Sequence, residues 1–152
     1  MQPSEEIRAA VVLDVFRAAN LLSRVGGKLA VQAGLSSVSQ WLLLGTVAAQ
    51  PGVALRDLRQ NTLVTKQNIS SMVERMKQAG YLETYADLAD RRVVRVRITE
   101  EGRCALAVLQ PLTRESNEAT FKGFSQDELR LFSGLLRRLL SALGECADGG
   151  RA

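Results

Sequence analysis

Residues 87–102 read DLADRRVVRVRITEEG. Arginines at 91, 92, 95 and 97 are threaded between valines, with two aspartates just ahead. β-Branched residues at 94, 96 and 98 alternate with these charges, which predicts a strand over 93–98. On a strand, Arg92, Val94, Val96 and Ile98 share one face; Arg91, Val93, Arg95 and Arg97 share the other. The apolar set can cover a core, while Arg95 and Arg97 stay solvated or touch phosphate. YLETYA at 81–86 suits a partner strand, so DLADRR becomes the tip of a hairpin. Asp87 and Asp90 would hold that tip by pairing with arginine. A solvated hairpin laced with surface ion pairs, each worth about 0–1 kcal/mol, would also fit these residues. The sequence upstream separates the two readings.

Upstream lies TKQNISSMVERMKQAGYL, residues 65–82. Ile69, Met72, Val73 and Met76 form an apolar helical stripe, Thr65 can cap its start, and Gly80 is placed to end it. The opposite face carries Lys66, Gln67, Asn68, Ser70, Ser71 and Arg75. Before it, ALRDLRQ at 54–60 reads as a short helix and NTLV at 61–64 as a turn. Two helices joined by four residues make a helix-turn-helix, whose second helix enters the DNA major groove with its N-terminal residues toward base edges. Asn and Gln can pair bidentately with adenine, and Lys can donate to guanine. Arg75, further along, suits a phosphate. Taken alone, that helix fits any amphipathic surface helix equally well. A charged hairpin directly behind it favours DNA, since a narrow minor groove attracts arginines such as Arg91 and Arg92.

Working outward, residues 5–33 predict a long helix with Ile7, Val11, Val15, Ala18, Leu22, Val25 and Leu29 on one stripe, widened by Val12, Phe16 and Ala19. A first helix that apolar needs two neighbours, and a second subunit can supply one. Gly34 is a stop signal. Ser37 and Gln40 fit a capping box ahead of a helix over 38–49, which Pro51-Gly52 ends. Thr99 caps a helix over 100–121, in which Pro111 is expected to produce a kink or a break. Ser125 and Glu128 form a second capping box before a helix over 126–146. The tail is expected to be disordered.

Composition narrows the function. The 152 residues amount to one ordinary domain, or a small domain with a dimerisation element. Histidine is absent, which removes a His general base, a Ser-His or Cys-His nucleophile and any His-ligated zinc. With no phosphate-cradling glycine loop and no clustered carboxylate pair either, an enzyme is not expected, and no cofactor or metal is implied. The net charge is +4, all of it carried by residues 55–98, the footprint of a polyanion partner. Cys104 and Cys146 form no CxxC pair; Cys104 reads as a small buried residue. The acidic start MQPSEEIR and the lack of a long apolar run point to a cytoplasmic protein without a membrane span.

From Leu35 to Gly102, the segments SSVSQWLLLGTVA, LRDL, TKQNISSMVERMKQAGYL and DLADRRVVRVRITEEG together resemble the multiple-antibiotic-resistance regulator (MarR) family of winged-helix transcription factors. The last segment is similar to the family's wing signature. Leu88 stands where the family often has proline, Ile98 where it has leucine, and Ala54 where it often has a Ser or Thr cap. The fold implied is mainly α with a small β-hairpin wing: a winged helix-turn-helix over 35–102 and a helical dimerisation region from 1–34 and 103–147, followed by the tail 148–152. The resemblance implies a homodimer reading a pseudo-palindromic operator, with recognition helices about 34–36 Å apart. It gives Arg92 the minor-groove role, Asp90 the role of steadying the wing, and residues 65–71 the base contacts. It also implies a repressor released by a small aromatic or phenolic ligand. Phe16, Asn20 and Trp41 could line such a site, although aromatics at helical spacing are ordinarily core. The alternative is a winged helix that binds another regulator rather than DNA.

Overall fold

The computed structural model describes the backbone of residues 3–58 and 66–148 and the side chains of residues 4–58 and 68–144. The expected turn at 61–64, the cap at Thr65 and the tail beyond Asp148 lie outside the described residues. The chain divides into two compact units, Met1–Thr113 and Arg114–Ala152.

In the first unit, α1 (Pro3–Gln32) and α2 (Val38–Ala49) are followed by β1 (Val53–Ala54), α3 (Leu55–Leu58), α4 (Lys66–Gln78), β2 (Leu82–Ala86) and β3 (Val94–Ile98). Then α5 (Glu100–Thr120) begins, and it runs into the second unit. The three strands form an antiparallel sheet with β3 in the middle. The expected hairpin is therefore joined by a third strand, with Val53 opposite Val96 and Ala54 opposite Arg95. Two residues have no readable periodicity, and Ala54 fitted a helix start equally well. It is instead a buried strand residue, which suits a small side chain better than a capping role would.

Local chemistry sets the helix ends. α1 stops at Gly34, whose φ of +82° favours glycine, with Leu35 N–H donating to Ala30 O and Gly34 N–H to Val31 O. α4 ends with the same bond pattern around Gly80. Ser37 Oγ accepts from Gln40 N–H at 3.3 Å, while Gln40 Oε1 accepts from Ser36 N–H at 2.9 Å, one residue before the usual capping-box donor.

The core of this unit gathers Leu43, Leu44 and Val47 of α2, Leu58 of α3, the Ile69–Met72–Val73–Met76 stripe of α4, Leu82 of β2, Val96 and Ile98 of β3, and Ala105 and Leu109 of α5. Each of the large side chains contributes about 1.5–3 kcal/mol by leaving water. Val94 shares the face of Val96 and Ile98 but is exposed, because it lies toward the tip where no helix covers it. Gly102 brings α5 onto the sheet. A Cβ there would come within 2.5 Å of Tyr81 O and 2.6 Å of Ile98 Cγ1. Only the end of α1 joins this core, through Ala30 with Leu29 and Ala33, and every residue from 4 to 25 is exposed.

Pro111 does not interrupt α5. It removes one N–H donor, and the carbonyl so freed, that of Ala107, is on an exposed residue where water can take the bond. Cys104 is exposed rather than buried: Gly102, Ala105 and Leu109 define the inward face and leave it on the other side.

The second unit holds the end of α5 and α6 (Gln126–Asp148). Its capping box is complete, with Ser125 N–H donating to Glu128 Oε2 at 2.7 Å and Glu128 N–H donating to Ser125 Oγ at 3.2 Å. Those bonds hold the Glu128 carboxyl below its usual range. Phe121 and Phe124 pack edge to face, 5.8 Å between centroids, in the turn before it. Along α6, Leu131, Phe132, Leu135, Leu140 and Leu143 are exposed.

Candidate nucleic-acid interface

The buried stripe of α4 fixes which of its side chains face out. Asn68, Ser71 and Arg75, at spacings of three and four, share one exposed face, and Ser70 is exposed beside them. Ser71 Oγ donates to Asn68 O at 3.2 Å, and Arg75 Nε donates to Ser71 O at 3.4 Å. Lys66 and Gln67 lie in the first turn of α4; their side chains and Thr65 are outside the described residues. Tyr81, just after α4, donates its hydroxyl to Gly34 O at 2.9 Å and so ties the end of α4 to the end of α1.

The four wing arginines fall into two pairs. Arg97 is bonded to Glu83, directly opposite it in the register, at 2.7 Å, with its guanidinium 5.3 Å from the Tyr85 ring centroid. Arg95 is bonded to the Asp87 carboxylate and, at 2.7 Å, to Gly52 O. Arg91 and Arg92 are exposed, and among the described residues neither guanidinium has an ion-pair partner. Strand alternation alone leaves Arg95 and Arg97 solvated or touching phosphate; both are engaged within the protein.

Asp87 pairs with an arginine as expected, Arg95 of β3, and also takes backbone amides, whereas Asp90 pairs with no guanidinium among the described residues. Asp87 Oδ1 accepts from Ala89 N–H at 2.8 Å and Asp90 N–H at 3.0 Å. Asp90 Oδ1 accepts from the backbone N–H of Arg92 at 3.0 Å, not from its guanidinium. Short carboxylates close turns of this kind readily, and amide donors are nearer than a guanidinium on a long arm. The Arg95 guanidinium, then the two amides, lower the Asp87 pKa to about 2. Leu88 is fully exposed at the tip. The result is a tied loop that presents two cations without ion-pair partners among the described residues, on the hairpin that follows α4.

The three residues considered for a small-molecule site are spread along α1 and α2. Trp41 is half-buried against the core, 3.5 Å from where a Cβ on Gly26 would sit. Phe16 and Asn20 are exposed on α1, about 15 Å and 9 Å along the helix from Gly26 at its 1.5 Å rise. The sequence suggested that Asp87 pairs with an arginine, but not that Arg95 is the partner or that it also reaches Gly52 O. The only signal for that arrangement was Arg95 on the central strand with Asp87 one residue beyond the partner strand.

Comparison with known proteins agrees with this geometry. The sequence profile of the MarR family matches residues 33–93, from the end of α1 through the wing tip. The winged helix resembles that of the MarR family. The transcriptional activatory protein BadR of Rhodopseudomonas palustris is 27% identical over 95% of this chain and 84% of its own length. A crystal structure of a MarR family transcription regulator superposes with a TM-score of 0.82 at 17% identity, covering 95% of each chain. BpsR of Bordetella bronchiseptica, described with regulation of its DNA binding by 6-hydroxynicotinic acid, superposes with a TM-score of 0.72 at 24% identity, covering 91% of this chain and 92% of its own. BadR and the first of these structures are described as transcription regulators. Among the described residues, no helix is long and apolar enough to cross a membrane.

Proposed function

We propose that this protein is a homodimeric, sequence-specific repressor that releases its operator when a small aromatic or phenolic ligand binds. The observation that carries the DNA part is the pair of unpartnered arginines, Arg91 and Arg92, held on a tied wing tip. In this reading residues 35–102 are the DNA-binding domain. Thr65, Lys66, Gln67, Asn68, Ser70 and Ser71 face the major groove, Arg75 meets a phosphate, and Arg92, aligned by Asp90, enters the minor groove. Residues 1–34 and 103–147 form the dimerisation region. The exposed apolar faces of α1 and α6 support that division, since a second copy would cover them. Repression follows when the occupied site overlaps a promoter.

The test is selection of duplexes from a random pool, followed by anisotropy across a salt series. Tight binding that falls steeply with salt is expected, because each neutralised phosphate releases counterions. Arg92→Ala should weaken it by about tenfold or more, at roughly 1–3 kcal/mol per specific contact, and leave the dimer intact. No enrichment of any sequence would remove the DNA assignment. Ligand control has its own readout, since Trp41 is the sole tryptophan. A hydroxylated aromatic acid that releases DNA should change its fluorescence if the site includes Phe16, Asn20 and Trp41.

A further inference from the structure

We propose that Arg95 and Asp87 are positioning residues, a brace across the sheet that sets where Arg91 and Arg92 stand without itself touching DNA. The proposal rests on the DNA-binding reading above. β3 is the central strand, and Arg95 on it lies opposite Ala54 of β1 and Tyr85 of β2. From there Nη1 donates to the carbonyl of Gly52, which leads into β1, and Nε donates to Asp87, which follows β2. One side chain therefore bonds to both edges of the sheet. The other Asp87 oxygen takes the amides of Ala89 and Asp90, and Asp90 takes the amide of Arg92. A continuous chain of bonds runs from the turn that enters the helix-turn-helix to the backbone of Arg92.

Two features separate this pair from an ordinary surface ion pair. First, it is sheltered: the Asp87 side chain is 17% exposed and that of Arg95 38%, against 53% and 60% for Glu83 and Arg97. Exposed pairs contribute little, whereas a charge-assisted bond with less water around it is stronger. Second, β1 is only two residues long and pairs with β3 at Val96 and Arg95 alone, so the Arg95 side chain adds a bond to a short ladder that has little else to hold that edge. With its charge matched by Asp87 and two of its donors in use, the Arg95 guanidinium is a poor ligand for a phosphate.

The direction of one substitution's effect separates a brace from a simple charge. Asp87→Ala removes a negative charge near the DNA, so by charge alone it would strengthen binding. As the loss of a brace it should weaken binding by about tenfold, the size of one charge-assisted hydrogen bond. Arg95→Lys keeps the charge and loses the fork, and it should weaken binding similarly. The double variant should be little worse than either single one. All are measured on the duplex selected by the wild type, with circular dichroism confirming the fold. The salt slope should stay at the wild-type value in Arg95→Ala. A slope reduced by about 0.9 would mean a lost phosphate contact and would overturn the brace, as would stronger binding by Asp87→Ala. Amide exchange in the DNA-free protein tests the brace independently of DNA. Exchange at Ala89 and Asp90 should quicken in Arg95→Lys, and unchanged exchange would also overturn the proposal. Should the wild type select no duplex, the DNA reading fails by itself, while exchange still decides whether Arg95 holds the tip.

Discussion

The winged helix and the long helices before and after it in the chain draw on the same kinds of apolar residue, with opposite results. In the winged helix Leu43, Ile69, Met76 and Val96 are fully buried by their own chain. On α1, Ile7 and Phe16 are each 66% exposed, and on α6 Leu131 and Leu140 are each 65% exposed. Helical periodicity marks a face as apolar; it does not say what covers the face. The difference is what the proposed dimer requires: a winged helix complete within one chain, and flanking helices with apolar faces left for a second copy.

The sharpest way to break that contrast is Leu135→Glu on the exposed face of α6. A buried Leu contributes about 1.5–3 kcal/mol, and two-fold symmetry counts it twice, so the dimer should weaken at least about a hundredfold. Sedimentation velocity over a dilution series reads this directly. A dimer of undiminished affinity would mean that this face is not the one the second copy covers. Gly102→Ala probes the other side of the comparison. The added methyl meets a backbone carbonyl, which cannot swing away, so a loss of about 1–3 kcal/mol and a melting temperature lower by several degrees are expected. Self-association should persist. Unchanged melting would show that the winged helix is looser than its packing implies.

The smallest effect concerns pH. The folded pKa of Asp87, about 2, lies below its ordinary value of 3.8. Its contribution is therefore fully present above about pH 4 and is lost as pH falls toward 2. The amide signals of Ala89 and Asp90 should broaden or shift in that window while the core signals of the winged helix stay put. Coincident loss of both would mean that the tip has no separate stability.

Much of the winged helix was legible because its signals are local. The Ile69–Met72–Val73–Met76 stripe, the Gly80 stop and the alternation through Val96 and Ile98 each act within a few residues. What escaped was non-local. β1 is defined by a partner some forty residues away, and the brace joins Gly52, Asp87 and Arg95 across three strands. Pro111 departs from expectation because local propensity says a helix breaks there, whereas solvent at Ala107 can take over the lost bond. Phe16 and Cys104 are exposed for a related reason: burial depends on which neighbours arrive, and sequence spacing names only the face.

The junction at the start of α5 has a mechanical consequence. Thr99 donates its amide to Tyr81 O at 3.1 Å and its hydroxyl to Gly80 O, while Gly102 sits on the sheet without room for a methyl. A joint with no slack passes on rotation instead of absorbing it. Val94, at the tip end of β3, is four residues from Ile98, a lever arm of roughly 13 Å at the strand rise. A turn of about 5° at Ile98 would carry the far end of such an arm by about 1.1 Å, beyond the tolerance of a hydrogen bond. The first turn of α5 is thus the fulcrum of the wing, where the smallest displacement has the largest effect at the wing tip.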